Sequence, residues 1–180
     1  VDAAAEYNNY ASDITRTIPV SGKFNMHQKK IYNIVLKAQK MAIKSCKPGK
    51  TLVDIHDVAV KNITKGLIDV KILKGSLESN IKNQKYKKYY MHNTGHWLGL
   101  DVHDPCSYVL NDKPVILKPG MIFTVEPGIY INTDSNIDTN YHNIAVRIED
   151  DVLITSSGHK VITENVPKEV NEIEKLMSSG

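Results

Sequence analysis

The chain has 180 residues, enough for one domain with a sizeable core, and 41% of them are hydrophobic, an ordinary share for a globular protein. The formal net charge is only +3, and the densest group of lysines, between residues 82 and 88, is interrupted by uncharged side chains. We interpret that segment as a solvated face rather than a site for an acidic partner, expect no nucleic-acid partner, and find no apolar run as long as a membrane span.

The cysteines and the first residues of the chain suggest in which cellular compartment the protein is found. Cys46 and Cys106 lie in unrelated contexts without metal-ligand spacing, so we expect free thiols in a reducing compartment rather than a disulfide. The chain begins at Val1-Asp2, in what reads as the middle of a strand, with no targeting segment. We therefore expect the back part of a longer protein, with a cytoplasmic location and a mitochondrial one as the alternative.

Residues 1–16 are predicted to form a β-hairpin with Asn8-Asn9 as its turn, because asparagine tolerates the positive φ angles of a two-residue turn. With that turn, the numbers of paired residues sum to 17, and Asp13 lies opposite Ala4. Asp2 is on the same face, so Asp2 and Asp13 are diagonal neighbours, roughly 7–8 Å apart at Cα. Two such carboxylates can converge on one metal ion. The alternative is two surface aspartates on an ordinary hairpin.

Apolar spacing and capping residues predict two long helices and two short ones. The first runs from Met26 to Ser45. The second begins after Thr51 and ends near Gly66. A short helix follows Ser76, and a last helix runs from about Lys168 to Met177.

Five strand-like runs lie in the second half of the chain, separated by Pro-Gly pairs and other turn residues. They are Trp97–His103, Ile122–Val125, Ile129–Ile131, Ile144–Ile148 and Val152–Thr155. Helices early and strands late predict an α+β fold, with helices packed on one face of a largely antiparallel sheet. We find no linker, and expect residues 1–180 to belong to one domain.

Two glutamates lie within or next to these runs. Alternation places Glu126 with Thr124 on one face of its strand, and Glu149 with Arg147 on one face of the other. A carboxylate in a half-buried strand costs free energy unless it is paired or binds a metal ion. Glu149 could instead form an ion pair with a neighbouring strand. We interpret Arg147 as a partner for a carboxylate and not as a catalyst.

His92 and His96 are four residues apart, the spacing of a two-histidine metal site on a helix. Residues 93–95 form a poor helix, so we predict a bent strand in which glycine allows close approach. Alternation alone would separate His96 from His103, whereas a bulge near Gly99 would bring them together. The remaining histidines that we interpret as surface residues are His27, His56, His142 and His159.

The candidate ligands are four carboxylates and one imidazole: Asp2, Asp13, His96, Glu126 and Glu149. Such an oxygen-rich set suits a pair of hard or borderline divalent ions better than a structural zinc, which would favour cysteine. Two bridged ions can make hydroxide at neutral pH and polarise a carbonyl.

These motifs resemble the pita-bread metallopeptidases, the family that includes methionine aminopeptidase, prolidase and aminopeptidase P. That family's ligands follow the order Asp, Asp, His, Glu, Glu, as they do here. The likeness covers nearly all of the chain and is greatest to aminopeptidase P. The motifs that carry it are EYxxYASDITRT at 6–17, MHNTGHWLGLDVHD at 91–104, LKPGMIFTVEPGIYI at 117–131, RIEDDVLIT at 147–155 and VPKEVNEIEKLM at 166–177.

The resemblance implies the pita-bread (creatinase/aminopeptidase) fold, without its upstream part and any N-terminal domain. It also implies two divalent ions, most typically Mn²⁺, with Zn²⁺ or Co²⁺ as alternatives. Hydroxide bridging the ions would attack the carbonyl before a proline and release the N-terminal residue of an Xaa-Pro peptide. Enzymes of this kind often assemble, so a homo-oligomer is expected.

The resemblance also implies roles for three residues. Glu126 would bind metal and carry the proton as general base and then acid. His103 would hydrogen-bond the substrate or stabilise the tetrahedral intermediate, and His92 would line the pocket near the proline ring. Such a pocket needs only shape and apolar contact, since the imide nitrogen has no hydrogen to donate.

Two other functions stay open. A prolidase would use the same ligands on Xaa-Pro dipeptides, and a non-catalytic binding module on this fold would lose ligands that are all present here. The chain departs from the family pattern at Ala4 and Asn93, which replace glycine, at Thr94, which replaces an apolar residue, and at the unusual pair Pro105-Cys106. We expect small adjustments there, because alanine is small and asparagine tolerates positive φ.

Overall fold

The computed structural model of the protein describes residues 1–133 and 136–178. The helices in that part of the chain are α1 (Met26–Ser45), α2 (Leu52–Asp69), α3 (Leu77–Lys82) and α4 (Val170–Met177). The strands of its first half are β1 (Asp2–Ala3), β2 (Glu6–Tyr7), β3 (Tyr10–Ala11) and β4 (Ile14–Thr15). Those of its second half are β5 (Val109–Leu110), β6 (Lys113–Pro114), β7 (Ile122–Val125), β8 (Gly128–Tyr130), β9 (Ala145–Arg147), β10 (Asp150–Ile154) and β11 (His159–Val161).

The first helix has the bounds that its sequence predicts. Asn25 caps α1, since its side-chain oxygen accepts hydrogen bonds from the backbone N–H groups of His27 and Gln28. The Gln28 side chain in turn accepts from the Asn25 N–H and so completes a capping box. Among the described helices, none has the length and apolar content needed to cross a membrane.

The second helix is longer than predicted and ends at Asp69 instead of near Gly66. Gly66 lies against Ile34 of α1, and a Cβ atom at Gly66 would be only 2.4 Å from Ile34 Cγ2. The glycine therefore lets two helices approach closely and does not stop the helix. A glycine inside a helical pattern can thus reflect close packing and not only the end of a helix.

The N-terminal hairpin has the predicted turn and register. Asn8 and Asn9 have φ angles of 52° and 67°. Glu6 pairs with Ala11 beside the turn, and Asp2 pairs with Thr15 at the far end, so paired numbers sum to 17 throughout. A two-residue turn thus fixes which face of the hairpin carries both aspartates.

Strands β11, β10 and β7 form a three-stranded antiparallel sheet in that order, and β5–β6 and β8–β9 are two separate antiparallel pairs. Residues 94–98 run antiparallel along β7: the Glu126 N–H donates to the Thr94 carbonyl at 2.7 Å, and the Thr124 N–H to the His96 carbonyl at 2.9 Å. The strand predicted at Trp97–His103 is therefore wrong in its bounds. The chain turns after Leu98, because Gly99 N–H donates to the Asp101 carbonyl at 3.2 Å.

Strand β7 has the predicted bounds, whereas β8, β9, β10 and α4 differ from prediction by one to two residues at their ends. The sequence analysis did not predict the β5–β6 hairpin, β11, or the short 3₁₀ helices at Lys85–Lys88 and Thr139–Tyr141. Asn111 and Asp112 form the β5–β6 turn with φ angles of 51° and 59°, the same chemistry as Asn8-Asn9, so a signal for this hairpin was present.

The apolar core contains residues from helices and strands alike. Helix α1 packs against α2 on one side and against β7, β8 and β9 on the other. The largest fully buried side chains include Tyr32 of α1 and Phe123 of β7. This arrangement of helices against antiparallel strands is the predicted α+β class. Cys46 is buried and Cys106 exposed, and both are free thiols, as expected.

Candidate metal centre

A cavity of about 790 Å³ opens between the N-terminal hairpin and the strands of the second half. Its walls include all seven side chains selected from the sequence as ligands or catalytic groups: Asp2, Asp13, His92, His96, His103, Glu126 and Glu149. Side chains more than a hundred residues apart in the chain thus face one space. The lining also includes Tyr108 and Arg147.

The hairpin brings two carboxylates to a third. Strand β4 lies beside residue 149, whose backbone N–H donates to the Thr15 carbonyl at 3.1 Å. The Asp13 N–H donates to the buried Asp151 carboxylate at 3.2 Å, which fixes the hairpin next to β10. Carboxylate oxygens of Asp2, Asp13 and Glu149 then all lie within 4.8 Å of one another.

His96 faces two of the carboxylates through one ring nitrogen. Its Nε2 lies 3.4 Å from Asp13 Oδ2 and 3.5 Å from Glu126 Oε1. Its Nδ1 lies 3.0 Å from the Trp97 carbonyl oxygen, which can only accept, so Nδ1 carries the hydrogen. The lone pair of the neutral ring is therefore on Nε2, directed toward the carboxylates, as a metal-binding histidine requires.

His103 reaches the same space through a turn and not through the bulge considered from the sequence. The Asp104 N–H donates to the Trp97 carbonyl at 3.2 Å, which closes the turn that follows residues 94–98. The rings of His96 and His103 then pack edge to face, with centroids 4.2 Å apart. A nitrogen of each lies within 4.8 Å of an Asp13 oxygen.

Glu149 is the most deeply buried of the five candidate ligands, with 1% of its surface exposed. Its Oε2 accepts a hydrogen bond from the Thr15 hydroxyl at 2.7 Å, while its buried Oε1 has no hydrogen-bond partner among the described residues. The alternative of an ion pair is wrong, because no cationic side chain of the described residues lies within 4 Å of it.

Burial and mutual repulsion raise the pKa values of the two glutamates. Burial, and then the nearby Glu126 carboxylate, raise the pKa of Glu149 to about 8. Burial raises the pKa of Glu126 to about 7, although Arg147 acts in the opposite direction. Carboxylates this crowded and shielded from water are stabilised as anions by a divalent cation, and the unpartnered Glu149 oxygen is a free donor for one. The donor set fits hard or borderline metal ions.

Arg147 joins three of the surrounding groups. Its guanidinium forms an ion pair with Asp2, donates to the Thr15 hydroxyl at 3.1 Å and lies 4.0 Å from Glu126 Oε2. It shares a face with Glu149, as alternation predicted. Two of these three contacts are to carboxylates, which is consistent with our interpretation of its role.

His92 lies on another wall of the cavity and contacts Tyr130. Its Nδ1 lies 2.7 Å from the Asn93 carbonyl, so this nitrogen donates, and its Nε2 accepts from the Tyr130 hydroxyl at 2.9 Å. Burial lowers its pKa, which favours the neutral ring. Residues 92–96 form no helix, as the poor helix-forming character of residues 93–95 predicted.

The interpretation of the four other histidines as surface residues is wrong, because all four are half-buried and packed. His27 packs edge-on against Tyr141, and His159 Nδ1 lies 2.8 Å from the Cys46 carbonyl. His56 Nδ1 lies 2.9 Å from the Thr94 hydroxyl. Sequence alone gave no sign of these partners, which are all distant in the chain.

Sequence reasoning also missed three side chains at the site: Thr15, Tyr108 and Tyr130. Alternation from Asp13 places Thr15 on the same face, so the signal for that residue existed. Tyr130 lies two strand positions after Gly128 and reaches His92 across the cavity wall. We find no sequence signal for Tyr108, which the β5–β6 hairpin places against Trp97, with ring centroids 5.9 Å apart.

Comparison with known proteins identifies the family. Residues 1–156 match metallopeptidase family M24. The chain belongs to this family. It is 51% identical to the Xaa-Pro aminopeptidase of Haemophilus influenzae and 43% identical to that of Escherichia coli, over 178 and 177 residues. These alignments cover 99% and 98% of this chain but only 41% and 40% of the relatives, so the chain spans about two fifths of their length.

The fold is similar to that of solved M24 peptidases. The structure of Pseudomonas aeruginosa aminopeptidase PepP superposes with a TM-score of 0.97 at 46% identity, covering 99% of this chain and 40% of that one. The resemblance to aminopeptidase P indicated by the motifs is confirmed, and so is the predicted fold class.

Proposed function

We propose that this chain carries the metal centre and the catalytic groups of an Xaa-Pro aminopeptidase, which releases the N-terminal residue from peptides with proline in second position. The observation that carries the proposal is the convergence of five potential ligands on one cavity of an M24 chain: Asp2, Asp13, His96, Glu126 and Glu149. Residues 1–180 would form part of one catalytic domain.

Two neighbouring ion positions are supported by the grouping of ligand atoms. Among the described residues, ligand atoms form three overlapping compact groups: Asp2, Asp13 and Glu149; His96, Glu126 and Glu149; and Asp13, His96 and His103. Glu149 belongs to the first two groups and would therefore help to hold both ions. Four carboxylates with one imidazole favour Mn²⁺, with Zn²⁺ or Co²⁺ as alternatives.

When bound, the two ions would supply Lewis acidity toward the peptide carbonyl and a nucleophile at neutral pH. Glu126 would take the proton from the attacking water and return it to the proline nitrogen, which must be protonated to leave.

The two remaining histidines would act on the substrate. His103, at the mouth of the cavity beside His96, would donate a hydrogen bond to the oxygen that becomes negative during attack. His92 has both ring nitrogens engaged by Asn93 and Tyr130, so it would present its ring to the proline and add no proton transfer. A proline ring needs only such a surface, since its nitrogen has no hydrogen to donate.

The expected partner is a peptide with an N-terminal Xaa-Pro sequence, and no nucleic acid or membrane. The proposal includes a homo-oligomer, as enzymes of this kind often form. It also includes a reducing compartment, cytoplasmic or mitochondrial, which is consistent with two free thiols.

The deciding experiment adds Mn²⁺ to metal-stripped protein and compares an Xaa-Pro-Xaa tripeptide with the matching Xaa-Pro dipeptide. We expect cleavage of the first bond of the tripeptide and loss of that cleavage in Glu126→Gln. Cleavage of the dipeptide alone would identify a prolidase. Absence of cleavage in protein that still binds Mn²⁺ would leave a binding module on the same fold.

A further inference from the structure

Thr94 is a buried polar residue at a position where we expected only a small adjustment. It is 3% exposed, and its hydroxyl lies between two polar groups. His56 Nδ1 lies 2.9 Å from Thr94 Oγ1, and the Tyr90 hydroxyl lies 2.5 Å from the same atom. A threonine hydroxyl can donate once and accept as well, so one oxygen satisfies both neighbours.

The backbone of Thr94 is the partner of the proposed general base. The Glu126 N–H donates to the Thr94 carbonyl at 2.7 Å, at the point where Glu126 leaves β7 and enters the cavity. Next to it, a Cβ atom on Gly95 would lie 1.8 Å from the Thr124 carbonyl oxygen. The segment around Gly95 and strand β7 therefore approach as closely as glycine permits. A shift of Thr94 would be transmitted to Glu126.

The two groups that hold the Thr94 hydroxyl are themselves fixed. His56 is half-buried in α2, whose first turn is capped by Thr51. Tyr90 is fully buried, and its ring packs edge-on against His92 at 5.1 Å between centroids. The Thr94 hydroxyl thus links a helix of the core to the strand that faces the metal centre.

We propose that the Thr94 hydroxyl, anchored by His56 and Tyr90, is a positioning group that holds Glu126 in place for metal binding and proton transfer. The inference rests on the proposed function for its catalytic part, while its effect on metal binding does not depend on which peptide is cleaved. If the hydroxyl only satisfied the hydrogen bonds of buried polar atoms, its removal would lower stability but change neither metal binding nor catalysis.

The test compares Thr94→Val, which has the same shape without the hydroxyl, with Thr94→Ser, which keeps the hydroxyl. Thr64→Val is the matched control, because Thr64 is also fully buried in the core and its hydroxyl has no hydrogen-bond partner among the described residues. Calorimetry measures the Mn²⁺ affinity of each protein, and urea unfolding measures its stability. The values of kcat and KM are determined with an Xaa-Pro-Xaa tripeptide, in protein that binds Mn²⁺.

For Thr94→Val we expect kcat to fall by roughly tenfold to a hundredfold, with KM changed by less than about threefold. The Mn²⁺ dissociation constant should rise by about tenfold, as for other residues that orient a ligand. Thr94→Ser should recover most of both losses, and Thr64→Val should change neither. If Thr94→Val does not fold, Tyr90→Phe removes one of the two anchors with the loss of a single oxygen and should show smaller shifts of the same kind.

The proposal is overturned if Thr94→Val binds Mn²⁺ and turns over like the parent while losing only stability. It is also overturned if Thr94→Ser is impaired as much as Thr94→Val, because packing of the methyl group would then be responsible. A parent protein that binds Mn²⁺ but cleaves no peptide would refute the proposed function, and the Mn²⁺ affinities would still decide the role of Thr94.

Discussion

Glu149 carries much of the chemistry that single residues contribute to this site. One of its oxygens accepts a hydrogen bond from Thr15, and the other, which is buried, has no hydrogen-bond partner among the described residues. A buried polar atom in that state has a free-energy cost that metal coordination removes. Because Glu149 belongs to two of the three compact groups of ligand atoms among the described residues, it should matter to both proposed ion positions.

Replacing Glu149 with glutamine tests this directly. The amide keeps the shape and the hydrogen bond from Thr15 but supplies only one weak oxygen donor. We expect the Mn²⁺ content of the purified protein to fall to about half that of the parent or below. Metal analysis after dialysis measures it. Retention of the parent's metal content would contradict the assignment of Glu149, and Glu164→Gln, an exposed glutamate, is the control.

The protonation of His56 should make the unfolding free energy depend on pH. Burial is the main cause that lowers its pKa below the ordinary value of 6.5. The unfolded chain therefore binds a proton in a pH range where the folded chain does not, and the unfolding free energy decreases as pH falls from about 7 toward 5. Above that range the group contributes no pH dependence.

Urea unfolding of the parent and of His56→Gln between about pH 5 and pH 7.5 tests whether stability decreases as the pH falls. Both proteins should lose stability on acidification, and the variant should lose less. An equal or steeper loss in the variant would show that His56 is not held in its neutral form by the fold.

At the scale of elements, the contact between α1 and α2 depends on Gly66. A Cβ there would lie 2.4 Å and 2.8 Å from two carbons of Ile34. Elsewhere in a helix, glycine to alanine stabilises by about 1 kcal/mol through propensity. Here the overlap should outweigh that gain, because helices packed this closely cannot separate without loss of core contacts.

We expect Gly66→Ala to lower the unfolding free energy by about 1–2 kcal/mol. Gly158→Ala is the matched control, since a Cβ there has no atom within 4 Å and the backbone has no positive φ, and its effect should stay within about 0.5 kcal/mol. Chemical denaturation compares the two. A neutral or stabilising Gly66→Ala would mean that α1 and α2 have room to adjust.

At the scale of the whole molecule, the candidate ligands join segments that are far apart in the chain. They come from the hairpin, from residues 94–98, from the end of β7 and from the β9–β10 connection. An ion held by all of them would bind the folded chain and not the unfolded one, so binding must add to stability by mass action.

We therefore expect Mn²⁺ at about a hundred times its dissociation constant to raise the unfolding free energy by about 2.7 kcal/mol over protein in a chelator. Urea unfolding with and without the ion measures the difference. The gain should shrink in Glu149→Gln. Identical curves for metal-loaded and metal-stripped parent would show that the five side chains do not hold an ion together.

Much of the fold and the grouping of the site follow from local sequence. Asn8-Asn9 determines the hairpin register and thereby puts Asp2 and Asp13 on one face, and Asn25 determines where α1 begins. These features depend on dihedral preferences and on hydrogen bonds between residues close in the chain, which sequence reasoning captures. The five candidate ligands could be chosen for the same reason, as polar groups within strand patterns and motifs.

Tertiary structure decided the contacts between distant segments. The turn after Leu98 brings His103 to His96, close packing keeps Gly66 inside a helix, and His56 meets Thr94 across the fold. None of these is encoded by periodicity or by turn residues, because each depends on where two separately formed elements pack. Long-range packing therefore brings together candidate ligands that the sequence by itself had already marked.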